Sequence, residues 1–297
     1  MTFNEGARLN PSQTEDRRGM RRGGKVGLGL GGGLVVLIGA LLGINPDILT
    51  AVLGTGEQPA IEQPAGSGVE DCLTGQDANE RLDCRIVGTA NSLNDFWPGY
   101  LAGYGVDYTV PKTVIFTGSV STACGNASSA VGPFYCPADT KAYFDPDFFA
   151  QLQTQFGSSG GPLAQEYVVA HEFGHHVQNL TGTIGRAQQE PAGAQSLAVR
   201  TELQADCYAG VWMRHASSQA APGSSGPFLQ ALTQQDLNDA LSAASAVGDD
   251  RIQQAATGRS TPESWSHGSS EQRQKWLYTG YQSADLAACD TFAAPQV

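Results

Sequence analysis

The sequence predicts an α+β protein in which a short β-strand region is followed by several helices and preceded by one transmembrane helix. Three observations carry this expectation. β-Branched and aromatic runs cluster between residues 112 and 144, helical apolar periodicity dominates from residue 162 onward, and residues 26–46 hold no charged side chain. The 297 residues then divide into a basic cytoplasmic tail at 1–25, a transmembrane helix at 26–46, a flexible linker at 47–70 and one folded domain at 71–297. A domain of that length has room for an ample core.

Six of the 17 basic residues but only three of the 29 acidic ones fall in the first 25 positions, a local net of +3. The remainder carries 11 basic against 26 acidic residues, a net of −15. An acidic body repels a phosphate backbone, so nucleic acid is not an expected partner. The basic tail reads as disordered. Immediately before an apolar run with Leu34, Val35, Val36, Leu37 and Ile38, it predicts a cytoplasmic N-terminus and an extracytoplasmic domain, held at the cell membrane by one span. A cleavable signal peptide is the competing reading, and no A-x-A site follows Leu42. The six cysteines fit an oxidising compartment, and none forms C-x-x-C. Fifteen pairings are possible; local closure favours Cys72–Cys84 and Cys124–Cys136, leaving Cys207–Cys289. Buried free thiols in a reducing compartment are the alternative.

Within the domain, residues 77–100 read as a helix through Leu82, Ile86, Val87, Leu93, Phe96 and Trp97. Residues 112–117 read as a strand, 132–136 and 141–144 as two more, and 125–129 between them as a loop. Asp145 and Pro146 form an N-cap and N1 pair that starts a helix to about residue 156. A long helix is expected at 162–181, closed by Gly182, and a second at 191–217. Thr233 caps a third and Ser269 a fourth.

The helix at 162–181 contains His171-Glu172-Phe173-Gly174-His175. Residues four apart on a helix lie about 40° apart around the axis and roughly 6 Å along it, so both imidazoles leave one face and can share a metal. Glu172, about 100° further round, cannot join them as a ligand but can reach a water on that metal. A catalytic zinc keeps three protein ligands and an open position. Glu202 in the next long helix is the expected third ligand, with Asp206 hydrogen-bonding the far nitrogen of a ligand histidine. The alternative for this pair is a polar stripe on an exposed helix. His176 and His215 read as structural, and Tyr208 as a core residue with a secondary reading as an oxyanion donor.

The E-x-x-x-D helix after H-E-x-x-H is similar to the gluzincin arrangement, especially the CaaX prenyl protease class. The wider run resembles still more closely the bacterial membrane-anchored family called putative neutral zinc metallopeptidase. The matching segments are residues 132–137, 171–178 and 202–210, and His267-Gly268 with Arg273 beyond it; together the resemblance covers about residues 72–289. It implies a zincin-like metallopeptidase domain with Zn2+ as cofactor, His171, His175 and Glu202 as ligands, Glu172 as base, and His267 over the cleft. In prenyl proteases the residue after that histidine is typically proline, whereas Gly268 stands here. Arg273 could hold a glutamate or a substrate carboxylate, or serve structurally.

The expected activity is therefore hydrolysis of peptide bonds in a peptide or protein. Glu172 takes the proton of a zinc-activated water, His267 donates to the oxyanion, and an exposed edge strand at 113–117 binds extended substrate. Two alternatives stay open: a non-catalytic, zinc-stabilised, membrane-tethered binding module, and a zinc amidase acting on cell-wall peptides. The same donors would also accept cobalt or manganese.

Overall fold

The computed structural model describes residues 2–19, 68–220 and 226–297. The expected span at 26–46 and nearly all of the linker lie outside the described residues. Among those described, no helix is long and apolar enough to cross a membrane. The architecture is mixed α+β, with eight α-helices, a four-stranded sheet and a two-stranded hairpin among the described residues.

In the larger sheet β1 (Thr14–Asp16) and β2 (Lys112–Ile115) run parallel. The hairpin consists of β3 (Ser119–Thr122) and β4 (Gly125–Ser128). β6 (Lys141–Phe144) pairs parallel with β2 and antiparallel with β5 (Phe134–Cys136), giving the order β1-β2-β6-β5. Two expectations change here. Residues 125–128 form a strand rather than a loop: their Gly, Asn and Ser content lacks β-propensity, but Val120 and Ala127 pair and are both buried. β2 is flanked on both sides, so it offers no edge to a substrate; β5 is the edge on the catalytic-motif side.

β1 belongs to the N-terminal arm, residues 2–19, which packs into the body instead of forming a disordered tail. Phe3 is fully buried, bridges to Leu229, and fills the space a side chain at Gly88 would need. The Thr2 hydroxyl donates to Glu166, the Asn10 amide donates to Asn91 Oδ1 at 2.6 Å, and Arg18 reaches Asp83 at 3.0 Å. A single bilayer crossing at 26–46 would put this arm and residues 68–297 on opposite faces. Strand pairing between Glu15 and Val114 requires them on the same one. The arm was illegible in sequence because its charge pattern resembles that of a solvated tail.

The helices follow their capping signals. α1 (Gly75–Glu80) opens on a Thr74–Asp77 capping box, and α2 (Leu82–Ala102) follows after a break at Arg81. α3 (Pro146–Thr154) starts at the Asp145 cap, whose side chain accepts from the Asp147 amide. α4 (Pro162–Leu180) carries the histidine motif and ends before Gly182, whose φ of 74° is left-handed. α5 (Leu197–Ala216) begins six residues later than expected, because Ser196 rather than the Pro191 region supplies the cap, accepting from the Val199 amide. α6 (Gln234–Ala246) and α8 (Ser270–Ser283) start at capping boxes on Thr233 and Ser269, and α7 (Asp249–Thr257) lies between them. α4 packs on α2, α5 and α6, and α5 packs on α8. The three disulfides join the expected pairs, Cys72–Cys84, Cys124–Cys136 and Cys207–Cys289.

Candidate metal centre

α4 and α5 approach closely where Gly174 faces Ala205: a Cβ on Gly174 would come within 2.9 Å of the Ala205 backbone. That approach brings the two functional faces together. His171, His175 and Glu202 form a cluster whose potential ligand atoms lie within 4.8 Å of one another. His171 Nε2 is 3.1 Å from one Glu202 oxygen and His175 Nε2 is 3.5 Å from the other.

The remaining ring nitrogens are already engaged. His171 Nδ1 lies 2.8 Å from Asp206 Oδ1, and His175 Nδ1 lies 2.9 Å from Gln178 Oε1. Both partners accept, so each Nδ1 carries a proton and each Nε2 is left as the donor atom for a metal. Gln178 is itself fixed by donating to Thr201 O at 2.7 Å and Gln204 Oε1 at 3.1 Å. Burial alone would lower the His171 pKa, but Asp206 and Glu202 overcome it and push it up to about 10. A site that holds a proton so firmly has the potential to hold a cation in its place. Glu202 resists the effect of burial and stays well below the usual carboxylate range because both histidines face it. One imidazole pair, one carboxylate and a dry wall therefore fit zinc.

Glu172 lines the same cavity and is buried, with Oε2 lacking any partner. Burial raises its pKa, against the pull of His175 and His171. A buried carboxylate oxygen with no hydrogen bond is costly unless something else occupies its lone pairs. A water or reacting group in the cavity would do so.

Asp206 sits at the centre of a buried network. Tyr167 donates to Oδ1 at 2.6 Å, and Arg273 donates through Nη2 to Oδ1 and through Nε to Oδ2, each at 2.9 Å. Arg273 thus holds Asp206 and Tyr167, not Glu202, and its guanidinium is 4% exposed. Its charge is engaged by the Asp206 carboxylate, which agrees with the structural alternative among its expected roles.

His267 lines the same cavity, from the loop before α8. Asp249, the first residue of α7, fixes that loop. Its Oδ2 accepts from the amides of Ser266 and His267 at 2.7 Å and of Gly268 at 3.1 Å, and its Oδ1 lies 3.3 Å from His267 Nδ1. Burial opposes protonation of His267, but Asp249 and Glu202 outweigh it and raise its pKa. Gly268 adopts φ of 91°, a conformation closed to proline, so this loop is built differently from a His-Pro loop.

Sequence reasoning missed Asp249, Tyr167 and Gln178. Tyr167, four residues before His171, shares its helical face and was findable by spacing; Asp249 has no local signal. Tyr208 lies in the core against Trp97 and does not line the cavity. His176 is buried between Tyr135 and the Thr109 carbonyl, and His215 stacks on Phe96. Both are structural.

Comparison with known proteins places this geometry in a group. The profile of the family described as "Putative neutral zinc metallopeptidase" matches residues 5–292. Uncharacterized proteins of Mycobacterium tuberculosis and Mycobacterium bovis are each 53% identical over 297 residues, covering 99% of both chains. An uncharacterized protein of Escherichia coli is 38% identical, covering 96% of this chain and 97% of its own. No solved structure matches.

Proposed function

Because the chain belongs to the putative neutral zinc metallopeptidase family, whose cofactor is Zn2+, we propose that it hydrolyses peptide bonds at the centre formed by His171, His175 and Glu202. The single observation that carries this reading is Glu172: a buried carboxylate with an unpartnered oxygen, in the same cavity as the three donor atoms. A purely structural metal site has no use for it.

Held by His171, His175 and Glu202, a zinc ion would supply Lewis acidity to the attacking water and the substrate carbonyl. Glu172 is the group that takes a proton from the attacking water and returns it to the leaving amine; its raised pKa suits both directions. His267, kept protonated by Asp249, donates to the oxygen that gains charge. Asp206, Tyr167 and Arg273 hold the His171 ring in its metal-facing tautomer. On a zincin-like reading, the strand that would receive an extended substrate is β5, the outermost strand of the sheet. Any attachment to a bilayer through residues 26–46 has to leave the arm and the body on one face, because β1 pairs with β2, and the three disulfides suit an oxidising compartment.

The test is Glu172→Gln. The variant should retain zinc and lose peptide hydrolysis by at least about 10²-fold, the usual effect of removing a general base. Wild-type rate in that variant would refute the assignment. Purified peptidoglycan assayed alongside protein substrates separates proteolysis from cell-wall amide hydrolysis.

A further inference from the structure

We infer that the cavity beside the metal centre is a subsite for one bulky apolar side chain, so that the substrate is a polypeptide cut next to a Phe-, Leu- or Ile-sized residue. The inference deepens the metallopeptidase reading and rests on it. The cavity's charged and imidazole side chains are those of the metal centre, Glu172, His267 and Arg273. The remaining wall is dominated by Val131, Phe148, Phe156, Val168, Val247 and Ile252, with Ser129 and Gln151 as the polar side chains among them. The charged groups lining the cavity are committed elsewhere: Glu172, Glu202, His171, His175 and His267 to the metal centre and its reaction, and Arg273 to Asp206 and Tyr167. Burying an unpaired charge in such a wall is strongly disfavoured.

Ile252 singles this wall out as built for a ligand. It is half-buried on α7 yet belongs to neither hydrophobic cluster of the protein, so its apolar surface serves the cavity rather than the core. The same short helix begins with Asp249, which anchors the His267 loop, so α7 shapes both the chemical and the apolar lining. The cavity measures about 140 Å³. A dry engineered cavity of about 150 Å³ holds one benzene, so the whole cavity, metal centre included, has room for no more than one aromatic ring or branched aliphatic side chain.

The experiment uses the zinc-loaded full chain carrying Glu172→Gln, titrated calorimetrically with four peptide hydroxamates that differ in one side chain: benzyl, isobutyl, carboxymethyl or aminobutyl. Benzyl and isobutyl should bind at least about tenfold more tightly than the two charged forms, as burial of one such side chain implies. Adding Ile252→Asp, or the milder Ile252→Thr, should shrink that ratio while zinc content stays unchanged. Equal affinities, binding of none of the four, or a ratio untouched by both Ile252 variants would overturn the subsite. Because turnover is not needed, failure of the peptidase reading would appear separately, as a wild-type chain that shows the hydroxamate preference but cleaves no peptide.

Discussion

At the scale of single residues, Asp249 is the side chain whose role is most testable. It caps three successive amides and faces the His267 ring, so neutralising it loosens the loop and lowers the proton affinity of the ring together. Asp249→Asn should lower kcat about 10- to 100-fold, the range for groups that orient a reacting residue, with zinc content unchanged. The alkaline limb of the pH–rate profile should move to lower pH, since a less basic His267 loses its proton sooner. An unmoved limb would show that His267 is not the titrating donor. His176 gives an independent prediction. Burial lowers its pKa to about 4, although its hydrogen bond to the Thr109 carbonyl pulls the other way. The unfolded chain therefore takes up this proton first as pH falls, and stability drains between the ordinary value of 6.5 and about 4. The interval corresponds to about 3 kcal/mol, so urea unfolding at about pH 7 and about pH 4.5 should show a steeper loss in wild type than in His176→Gln. Helical spacing made His171, Glu172 and His175 legible from sequence. Asp249 was not, because it meets His267 only through the packing of α7 beneath the loop.

At the scale of elements, the site depends on how closely helices approach. Gly174 lets α4 lie against Ala205 of α5, which sets the distance from the two imidazoles to Glu202. Gly174→Ala should cost about 1–3 kcal/mol by overpacking and weaken zinc binding as Glu202 is displaced; wild-type stability and affinity would contradict this packing. On the other side of α5, a Cβ on Gly280 would fall 1.9 Å from the Cys207 carbonyl oxygen. Gly280→Ala should therefore destabilise at the upper end of that range or beyond, as read by chemical denaturation, because backbone rather than a flexible side chain must move. Caps made most helix starts readable: Asp145, Thr233 and Ser269 act where the sequence puts them. The sheet was less readable. β2 looked like an edge because its neighbour β1 comes from an arm nearly a hundred residues away, and no local pattern reports a pairing at that separation. The β3–β4 hairpin hid behind polar residues that form strands only because they pair.

For the whole molecule, the arm and the body are one folded unit, with Thr14–Asp16 hydrogen-bonded into the sheet and Phe3 in the core. Both must occupy the same compartment. Single cysteines at Ser12 on the arm and Ser260 on the body, both exposed, should be labelled together by a membrane-impermeant maleimide in intact cells, or both spared. Labelling of one alone would break this account of the topology. The central claim is that a divalent metal is held by two imidazoles from α4 and one carboxylate from α5. Metal analysis of the full chain beside Glu202→Ala tests it most directly. One zinc per wild-type chain is predicted, with affinity about 10-fold or more weaker in the variant, as loss of a charged donor implies. A wild-type chain that takes up no zinc, or a Glu202→Ala chain that binds it as tightly, would contradict the account.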